Sequence, residues 1–413
     1  MKSTESQNTL HHVRPSFASK FECLGSACPE DCCSGWRIPI DRSTFNRYKR
    51  SDNLKLRDRF QNLIVQVSEA ASNQNFAYIK KDGQTSQCAF LDKGLCDIQT
   101  NLGHDGLSDT CFSFPRSYTK FEEEVELSMS LSCPEAARLA LTTRDAFEFE
   151  ATNSSVRASL IRSIQDRPGI DLREVNRFRI VAIQLMKDPG QASWKKLLSL
   201  GVLCERFDSL MSKGLPNAAE TIRETYEHLR STGELYEVFD RIKPQPKLQS
   251  EAFLLLMQTI AIVPTTKIAK ERIDVVLSGF DADIDTGEIR LETLADCYRE
   301  GIAALDAALA DTPWFLDHVL LADMLTSGFP FDGRTTHESF VGLASRFGIV
   351  RLILAGACRS LKLKATIHDL AQFVQTFVRH YQHNSEFASK VNSCLLNSGW
   401  GTLDKLVLFL RSA

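Results

Sequence analysis

The chain of 413 residues lacks an apolar leader, a long apolar run and an excess of positive charge. Residues 1–15 read MKSTESQNTLHHVRP, with no apolar core, so we expect no signal peptide. We find no run of about eighteen apolar residues and expect no membrane span. The net charge of -3 does not favour a nucleic-acid surface. The sequence therefore predicts a soluble cytoplasmic protein that binds neither membrane nor nucleic acid.

A glycine-rich nucleotide motif is also missing. The one Gly-x-Gly, Gly399-Trp-Gly401, follows no strand pattern and stands close to the C-terminus, with no room for a sheet after it. A dinucleotide-type fold needs a strand before such a motif and a helix and strand after it. The sequence therefore does not predict a Rossmann-type domain.

The twelve cysteines include no Cys-x2-Cys pair. That absence excludes the zinc knuckle and the ferredoxin run. The Cys-x3-Cys-x2-Cys loop of radical S-adenosylmethionine enzymes is excluded because its third position would be Gly35. Eight cysteines nevertheless fall within about a quarter of the chain, and they are Cys23, Cys28, Cys32, Cys33, Cys88, Cys96, Cys111 and Cys133.

We interpret these eight cysteines as metal ligands. In a reducing cytoplasm such clusters bind metal more often than they form disulfides. Soft thiolates favour an iron–sulfur cluster or zinc over a hard cation. The spacing of the cysteines does not decide between an iron–sulfur cluster and zinc, or between one metal centre and two. The other four cysteines lie among apolar residues and are expected to be core residues, namely Cys204, Cys297, Cys358 and Cys394.

The pattern of apolar residues predicts a mainly α protein in which a small cysteine-rich, metal-bound domain with a few short strands precedes a large all-helical domain. We place a mobile arm at residues 1–15, the cysteine-cluster domain at 16–143 and the helical domain at 144–413. Residues 41–71 have helical spacing, and alternation from Val125 to Leu131 predicts a strand. Pro134 is suited to the first position of a helix.

Two helix starts are predicted in the helical domain. Asn217 with Glu220, and Thr366 with Asp369, have the spacing of an N-cap followed by an acid three residues later. The helix after Thr366 carries one apolar stripe, which predicts that this helix packs on the core.

The cysteines and their neighbours resemble one family. The similarity lies in Cys28-Pro-Glu-Asp-Cys32-Cys33-Ser-Gly-Trp36, Cys88-Ala-Phe-Leu91, Gly94-Leu-Cys96-Asp-Ile-Gln99, Phe114-Pro-Arg116, Cys133-Pro-Glu-Ala136, Phe329-Pro-Phe331 and Arg379-His380-Tyr381. This order of motifs resembles the flagellin lysine-N-methylase family, whose N-terminal part is similar to CxxCxxCC-type iron- or zinc-chelating domains.

The resemblance implies a bacterial cytoplasmic enzyme that methylates surface lysines of flagellin. It implies S-adenosylmethionine as donor and a [4Fe-4S] cluster held by the N-terminal cysteines. Two mechanisms stay open: a direct displacement, or a transfer in which an iron of the cluster binds the donor. A non-enzymatic zinc- or iron-chelating or redox-sensing protein, whose helical domain binds a partner, is the alternative.

Candidate site residues follow from this chemistry. A lysine must lose its proton before it attacks a methyl group, and its free pKa is about 10.4. Acids near the cysteines are the candidate bases: Asp31, Asp109 and Glu135. Candidate cofactor-binding residues are Trp36 and Arg116, since a guanidinium suits a carboxylate or phosphate. His380 and His383 are three residues apart on a predicted helix and form a further candidate pair.

Overall fold

Strands are concentrated in the first 163 residues, whereas the described chain beyond them is helical. The computed structural model describes residues 8–67, 72–83, 86–165, 170–258, 266–284, 286–382 and 385–411. In these ranges the strands form one five-stranded, one three-stranded and one two-stranded sheet. The strands are β1 (Asn8–Pro15), β2 (Pro39–Ile40), β3 (Ile64–Gln66), β4 (Ala77–Ile79), β5 (Leu91–Asp92), β6 (Leu95–Cys96), β7 (Arg116–Phe121), β8 (Glu124–Met129), β9 (Phe149–Val156) and β10 (Ile161–Ser163).

Helices account for most of the described chain, which confirms the prediction of a mainly α protein. The four nearest the N-terminus are short and lie in the cysteine-rich part. They are α1 (Arg42–Lys49), α2 (Leu54–Leu63), α3 (Asp97–Leu102) and α4 (Asp109–Ser113). The remainder are α5 (Pro134–Thr142), α6 (Leu172–Lys187), α7 (Ser193–Ser212), α8 (Ala218–Thr232), α9 (Glu234–Asp240), α10 (Pro246–Gln258), α11 (Lys267–Ser278), α12 (Leu291–Ala308), α13 (Phe315–Ser327), α14 (Thr336–Leu361), α15 (Ile367–Phe377), α16 (Ser385–Asn397) and α17 (Leu403–Leu410).

The N-terminal segment is an interior strand of the five-stranded sheet. The strand order is β10-β7-β8-β1-β9, so β1 lies between β8, to which it is parallel, and β9, to which it is antiparallel. Its eight residues pair with all of β9, from Asn8 opposite Val156 to Pro15 opposite Phe149. The prediction of a mobile arm is therefore wrong for residues 8–15, and residues 1–7 lie outside the described ranges.

The boundary predicted between residues 143 and 144 does not separate two folded units. Strands β9 and β10 follow it, yet both belong to the sheet that also contains β1, β7 and β8. The expectation that residues 144–413 are all helical is therefore wrong for Phe149–Val156 and Ile161–Ser163. The β9 sequence is mostly polar and exposed because it is an edge strand, and it has no alternating apolar pattern.

The hydrophobic cores divide the chain differently. A small core is built from residues between Ile38 and Leu107, with partly buried residues to Phe112 packed against it. The large core includes Phe17 and Phe21, and then residues from Tyr118 to Leu410. The cysteine-rich part is thus an insertion between β1 and β7, and both strands belong to the large body.

The predicted helix at 41–71 is two helices and a strand. Asp41 caps α1 by accepting a hydrogen bond from the Thr44 N–H at 2.7 Å. Asn53 caps α2 in the same way, and the chain then enters β3 at Ile64. Ile64 and Val65 are β-branched, which favours the extended conformation. Residues 68–71 lie outside the described part.

The strand predicted from Val125 to Leu131 is confirmed in β8, where Val125, Leu127 and Met129 are buried. Glu126, between them, accepts two hydrogen bonds of 2.6 Å from the guanidinium of Arg179 on α6. Arg179 is 1% exposed, so this bidentate pair fastens the sheet to the helical body.

One helix, α14, is the centre of the helical body. The segment Thr336–Lys364 is the one described helix that is long and apolar enough to cross a membrane by length and composition, and its most apolar window is entirely buried in the protein. A helix that is buried to this extent inside the protein is a core helix. Three of the four remaining cysteines, Cys204, Cys297 and Cys358, are buried as predicted, and Cys394 is half-buried.

Helix α15 begins with the predicted cap. Thr366 accepts from the Asp369 N–H, and the Asp369 carboxylate accepts from the Thr366 N–H. At its other end the helix continues into a π-helical turn, Val378–Gln382, which carries Arg379 and His380. Such turns are frequent at functional sites because they redirect side chains.

Candidate metal centre

Five separate segments supply the eight N-terminal cysteines, which we call the thiol cluster. Cys23 and Cys28 flank a short turn at Gly25–Ala27, and Cys32 with Cys33 follow in the same loop. The others lie near or in small elements: Cys88 before β5, Cys96 at the end of β6, Cys111 in α4 and Cys133 immediately before α5. Residues far apart in sequence are thus brought to one region.

The thiols are close enough to change each other's protonation. Burial raises the pKa of Cys111 to about 12, and the thiols of Cys96, Cys88 and Cys32 add to the rise. Burial also raises the pKa of Cys133 to about 11, with contributions from Cys28 and Cys32. Cys32 therefore lies among thiols from other segments of the cluster.

The adjacent thiols of Cys32 and Cys33 shift each other's pKa in opposite directions. The Cys33 thiol donates to the Cys32 sulfur, which lowers the pKa of Cys32 to about 7 and raises that of Cys33. Burial and the nearby Asp31 raise the pKa of Cys32, whereas the Arg379 guanidinium lowers it. The pair therefore favours a thiolate at Cys32.

Backbone N–H groups are directed at several of the sulfurs. The Cys88 sulfur accepts from the Phe90 N–H at 3.5 Å. Burial raises the pKa of Cys96, and the N–H groups of Gln99 and Ile98 oppose the rise. At Cys133, the N–H groups of Glu135 and Ala136 in the first turn of α5 likewise oppose the rise in pKa that burial causes. N–H groups at a helix start favour a thiolate, which is the form that binds metal.

The thiol cluster has the sulfur donors of a metal centre, but among the described residues these donors are not arranged around a common metal position. All twelve cysteines are free thiols, and Cys23 is exposed. Across the described ranges, no set of three or more Cys, His, Asp or Glu side chains is arranged to hold a metal ion. The donor chemistry fits a soft metal or an iron–sulfur cluster. A cysteine-rich region with short strands is confirmed, and metal binding by its thiols stays a prediction.

Each candidate base has a structural partner. Asp31 accepts from the Cys33 N–H and the Ser34 hydroxyl, both at 2.8 Å, and so shapes the loop. Asp109 pairs with Arg157 at 3.0 Å. Glu135 binds Arg138 through two hydrogen bonds of 2.6 and 2.7 Å. Of the three acids, Asp31 makes no salt bridge with any described residue.

Of the two candidate cofactor residues, Trp36 contacts the cysteine loop directly. The Trp36 indole donates to the Cys32 carbonyl at 2.9 Å, and the side chain is 37% exposed. The Arg116 guanidinium is 4.9 Å from the centre of the Phe21 ring and makes no ion pair with a described residue. Cofactor binding by either residue stays a prediction.

Sequence reasoning missed a buried carboxylate in the cysteine loop, Glu30, which is 4% exposed. Its oxygens lie 2.8 Å from the Thr266 hydroxyl and 3.4 Å from the Arg272 guanidinium. Arg379 and His380, on the π-helical turn, each lie 3.8 Å from it. Burial raises the pKa of Glu30, but His380, Arg379 and the other partners outweigh burial and lower the pKa to about 2.

Glu30 is part of a wider contact between the cysteine loop and the helical body. Arg379 also donates to the Ser34 carbonyl at 3.0 Å, and Gln375 donates to the Ser132 carbonyl, beside Cys133, at 2.9 Å. His380 is therefore an interface residue, while its predicted companion His383 lies outside the described residues. The only sequence feature that could have indicated this interface is the position of Glu30 between Cys28 and Cys32. The residues around Arg272 do not indicate that it pairs with Glu30.

Known proteins resemble this chain over most of its length. Residues 179–409 match the family model of the FliB lysine N-methylase C-terminal domain. The lysine-N-methylase of Salmonella typhimurium is 24% identical over 383 residues, which cover 91% of this chain and 93% of that protein. The lysine-N-methylase of Salmonella choleraesuis is also 24% identical, with the same coverage.

A third relative matches a shorter region more strongly. The flagellar biosynthetic protein FliU of Salmonella muenchen is 36% identical over 151 residues, which are 36% of this chain and 88% of that protein. No solved structure matches the chain.

Proposed function

The chain belongs to the FliB lysine N-methylase family, and from this premise we propose that it methylates surface lysines of flagellin in the cytoplasm, before export. S-adenosylmethionine is the methyl donor in this proposal. A [4Fe-4S] cluster, with zinc as the alternative, is held by the thiol cluster. The membership confirms the resemblance read from the sequence and makes the chain a relative of lysine methylating enzymes.

Flagellin is proposed as the substrate because two of the comparisons suggest a flagellar link. The family model is named for FliB, and the FliU relative is named as a flagellar biosynthetic protein. The full-length relatives are named lysine-N-methylases, which supports a lysine as the acceptor. The observation that carries the proposal is this match over 91% of the chain.

The proposed reaction is a methyl transfer to nitrogen. A neutral lysine uses its lone pair to form a bond to the methyl carbon. The carbon–sulfur bond of the donor breaks, and its electron pair stays on sulfur, which becomes a neutral thioether. The lysine nitrogen must lose a proton before the attack, and a carboxylate can accept it. Among the acids near the thiols, Asp31 has no cationic partner in the described chain, so we favour it as the base.

The thiol cluster is proposed to hold the metal through Cys23, Cys28, Cys32, Cys33, Cys88, Cys96, Cys111 and Cys133. A bound metal would supply positive charge to thiolates that burial otherwise keeps protonated. The protein's own residues prepare this site through the N–H groups at Cys88 and Cys96 and through Arg379 beside Cys32. Glu30 and its partners hold the loop against the helical body.

The test is to co-express the chain with the flagellin of its host and to measure the intact mass of the flagellin. We expect methyl-sized increments that map to lysines, and none when flagellin is expressed alone. If the protein is folded and metal-loaded but no increment appears, flagellin is not its substrate. A parallel analysis of all lysines in the host proteome would then show whether another protein is methylated.

A further inference from the structure

Strand β9 forms one edge of the five-stranded sheet, and one of its sides is not covered by any described strand. It stands last in the order β10-β7-β8-β1-β9, and β1 is its one neighbour among the described strands. Of its eight residues, all except Val156 are exposed or half-buried. The strand is therefore a long and accessible edge.

The register of β1 and β9 shows which residues of β9 direct their backbone outward. The Ser16 N–H donates to the Glu148 carbonyl at 2.7 Å, so these two residues form a hydrogen-bonded pair. The strands continue the same register, and hydrogen-bonded and non-hydrogen-bonded pairs alternate along it. Pro15, which has no N–H to donate, lies at a non-hydrogen-bonded position. Ala151 and Asn153 lie at such positions too, so their N–H and C=O groups point away from β1.

The β9 sequence has none of the features that usually protect an edge strand. Protected edges are short, or carry a lysine, a proline or a bulge that prevents pairing with another chain. Strand β9 contains neither lysine nor proline, and its register with β1 runs without a bulge. Its one charged residue, Glu150, pairs with Arg14 on β1 at 2.8 Å. The opposite edge, β10, has only three residues. Strand β9 is thus open to pairing with an extended chain.

One end of β9 lies beside α4, the helix that carries Cys111 of the thiol cluster. Arg157 follows β9 directly and is 6% exposed. Its guanidinium donates to the Asp109 carboxylate at 3.0 Å and lies 3.9 Å from the centre of the Phe112 ring. These two residues flank Cys111. A chain that pairs with β9 and continues past Val156 therefore leads toward the thiol cluster.

The separation between β9 and α4 is within the reach of a lysine side chain. The Arg157 side chain alone bridges it, and a lysine side chain is nearly as long as an arginine side chain. Each further residue of extended chain adds about 3.3 Å. A lysine one or two residues beyond the paired segment can therefore bring its amino group to the thiols.

Pairing with a strand edge selects an extended, unfolded segment as the partner. The hydrogen bonds join backbone groups, which every sequence supplies, so affinity depends on an available extended backbone, and side chains add specificity. A folded domain has already paired most of its backbone groups, whereas an unfolded segment has not. The side chains of Thr152, Asn153 and Ser154 are small and polar, so they leave room for different neighbours.

We propose that β9 is the docking edge for the protein substrate, where an unfolded segment of flagellin pairs as an additional strand and presents its lysine to the thiol cluster. This inference rests on the proposed function, since it takes flagellin as the substrate. The thiol cluster and Asp31 keep the roles proposed for them, and β9 orients the acceptor.

The first test is hydrogen–deuterium exchange of the full-length, metal-loaded protein with and without a short lysine-containing peptide of its host's flagellin. We expect slower exchange in residues 149–156, most of all at the Ala151 and Asn153 amides, because their outward N–H groups become hydrogen-bonded. The Thr152 and Ser154 amides, which already face β1, are expected to change less. An unchanged β9, at peptide concentrations that saturate methylation, would overturn the proposal.

The second test measures the methylation kinetics of edge variants. Ala151→Pro and Asn153→Pro each remove an outward N–H and keep the hydrogen bonds to β1, and proline is accepted at such edge positions. We expect each to raise the KM for the peptide about fivefold or more, with a much smaller change in kcat, because each removes a docking hydrogen bond. A wild-type KM in both variants, with normal melting temperatures, would contradict the proposal.

The matched control is a proline away from the sheet, Leu291→Pro. Leu291 is 54% exposed and is the first residue of α12, a position that suits proline. We expect a wild-type KM for this variant. If an edge variant does not fold, the exchange experiment on the wild type still decides the proposal.

The two proposals fail in different ways. Methylation of flagellin without protection of β9 would sustain the flagellin assignment and remove the docking edge. Protection of β9 by the peptide without methylation would sustain the docking edge and remove the assignment as a methylation substrate. Sedimentation without flagellin tests a second occupant, since a dimer that Asn153→Pro dissociates would show that another copy of this chain pairs with β9, which would overturn the proposal.

Discussion

Glu30 is a buried carboxylate whose charge is balanced by groups from the helical body. Replacing it with glutamine leaves Arg272 and Arg379 without their shared anion. Removing one partner of a buried ion pair costs about 3–5 kcal/mol, because the remaining charge stays buried and uncompensated. We expect Glu30→Gln to lower the free energy of unfolding by about 3 kcal/mol, measured by urea denaturation of the holoprotein.

The matched control for this variant is Glu22→Gln. Glu22 lies in the same N-terminal loop region but is exposed. We expect its replacement to change the free energy of unfolding by less than about 0.5 kcal/mol. Equal stability of the two variants would show that Glu30 does not hold the loop to the helices.

His318 predicts a pH dependence of stability. Burial, together with the nearby Lys196 and Lys187, lowers its pKa to about 4, although the Ala140 carbonyl and Asp145 oppose the change. The unfolded chain takes up this proton near pH 6.5 and the folded protein only near pH 4. Stability due to this group is therefore present above about pH 6.5 and is lost as the pH falls toward 4.

Each pKa unit corresponds to about 1.4 kcal/mol, so the loss due to His318 between about pH 7 and pH 5 is about 2 kcal/mol. Urea denaturation at both pH values measures it. We expect His318→Gln to lose less stability over this interval than the wild type by about that amount. His228→Gln, at an exposed position, is expected to behave like the wild type. An unchanged pH dependence in His318→Gln would refute this origin.

Some residue roles could be predicted because their partners are close in sequence. Thr366 and Asp369 cap the same helix that they begin, so three residues of sequence contain the whole interaction. At Asn217 the predicted helix start is confirmed, with Glu220 in the first turn, but the backbone is left-handed with φ of 57° and the Asn217 side chain makes no cap hydrogen bond. Glu30 could not be predicted, since its Arg272 partner is 242 residues away.

Helices α12 and α14 meet closely at a glycine. A Cβ at Gly301 would lie 2.7 Å from the Ala355 carbonyl carbon and 3.0 Å from the Ala355 Cβ. Alanine is favoured over glycine inside a helix by about 1 kcal/mol, but overpacking costs about 1–3 kcal/mol. We expect Gly301→Ala to lower the melting temperature by about one to two degrees.

The control for this contact is Ala303→Gly, at an exposed position of the same helix. This variant measures the difference in helix propensity between alanine and glycine at a position where α12 does not contact α14. If packing did not matter, Gly301→Ala would stabilise the protein by about as much as Ala303→Gly destabilises it. Such a result would contradict the role given to the glycine.

Whole elements differ in how far the sequence predicts them. Strand β8 has a buried face and an exposed face, so alternation from Val125 to Met129 reveals it. Strand β1 contains the polar run Asn8-Thr-Leu-His-His12, and its neighbours in the sheet lie more than a hundred residues away. Its pairing is determined by non-local contacts, which a local pattern does not contain.

At the scale of the whole molecule, the thiol cluster lies between the two hydrophobic cores. Cys88 belongs to the small core and Cys133 to the large one. Metal binding would therefore join the cysteine-rich insertion to the helical body. We expect Cys28→Ala or Cys32→Ala to lower the metal content per chain, measured by elemental analysis and acid-labile sulfide after anaerobic purification.

Cys204→Ala is the control for the metal content. Cys204 is fully buried on α7 in the large core, outside the thiol cluster. Its replacement is expected to leave the bound metal unchanged. Retention of full metal content in both cluster variants would refute the assignment of these thiols, and a colourless zinc protein would exclude the iron–sulfur form.

The interior position of β1 has a consequence for synthesis on the ribosome. Its neighbours β8 and β9 are complete only when residue 156 has been translated. The first strand therefore emerges early and has no complete neighbour until β8 ends at Met129, more than a hundred residues later, and its second neighbour is complete only at Val156. During that interval the insertion around the small core is already translated, since all of it ends by Phe112. The order in which the chain leaves the ribosome thus favours early assembly of the cysteine-rich part and late closure of the sheet around β1.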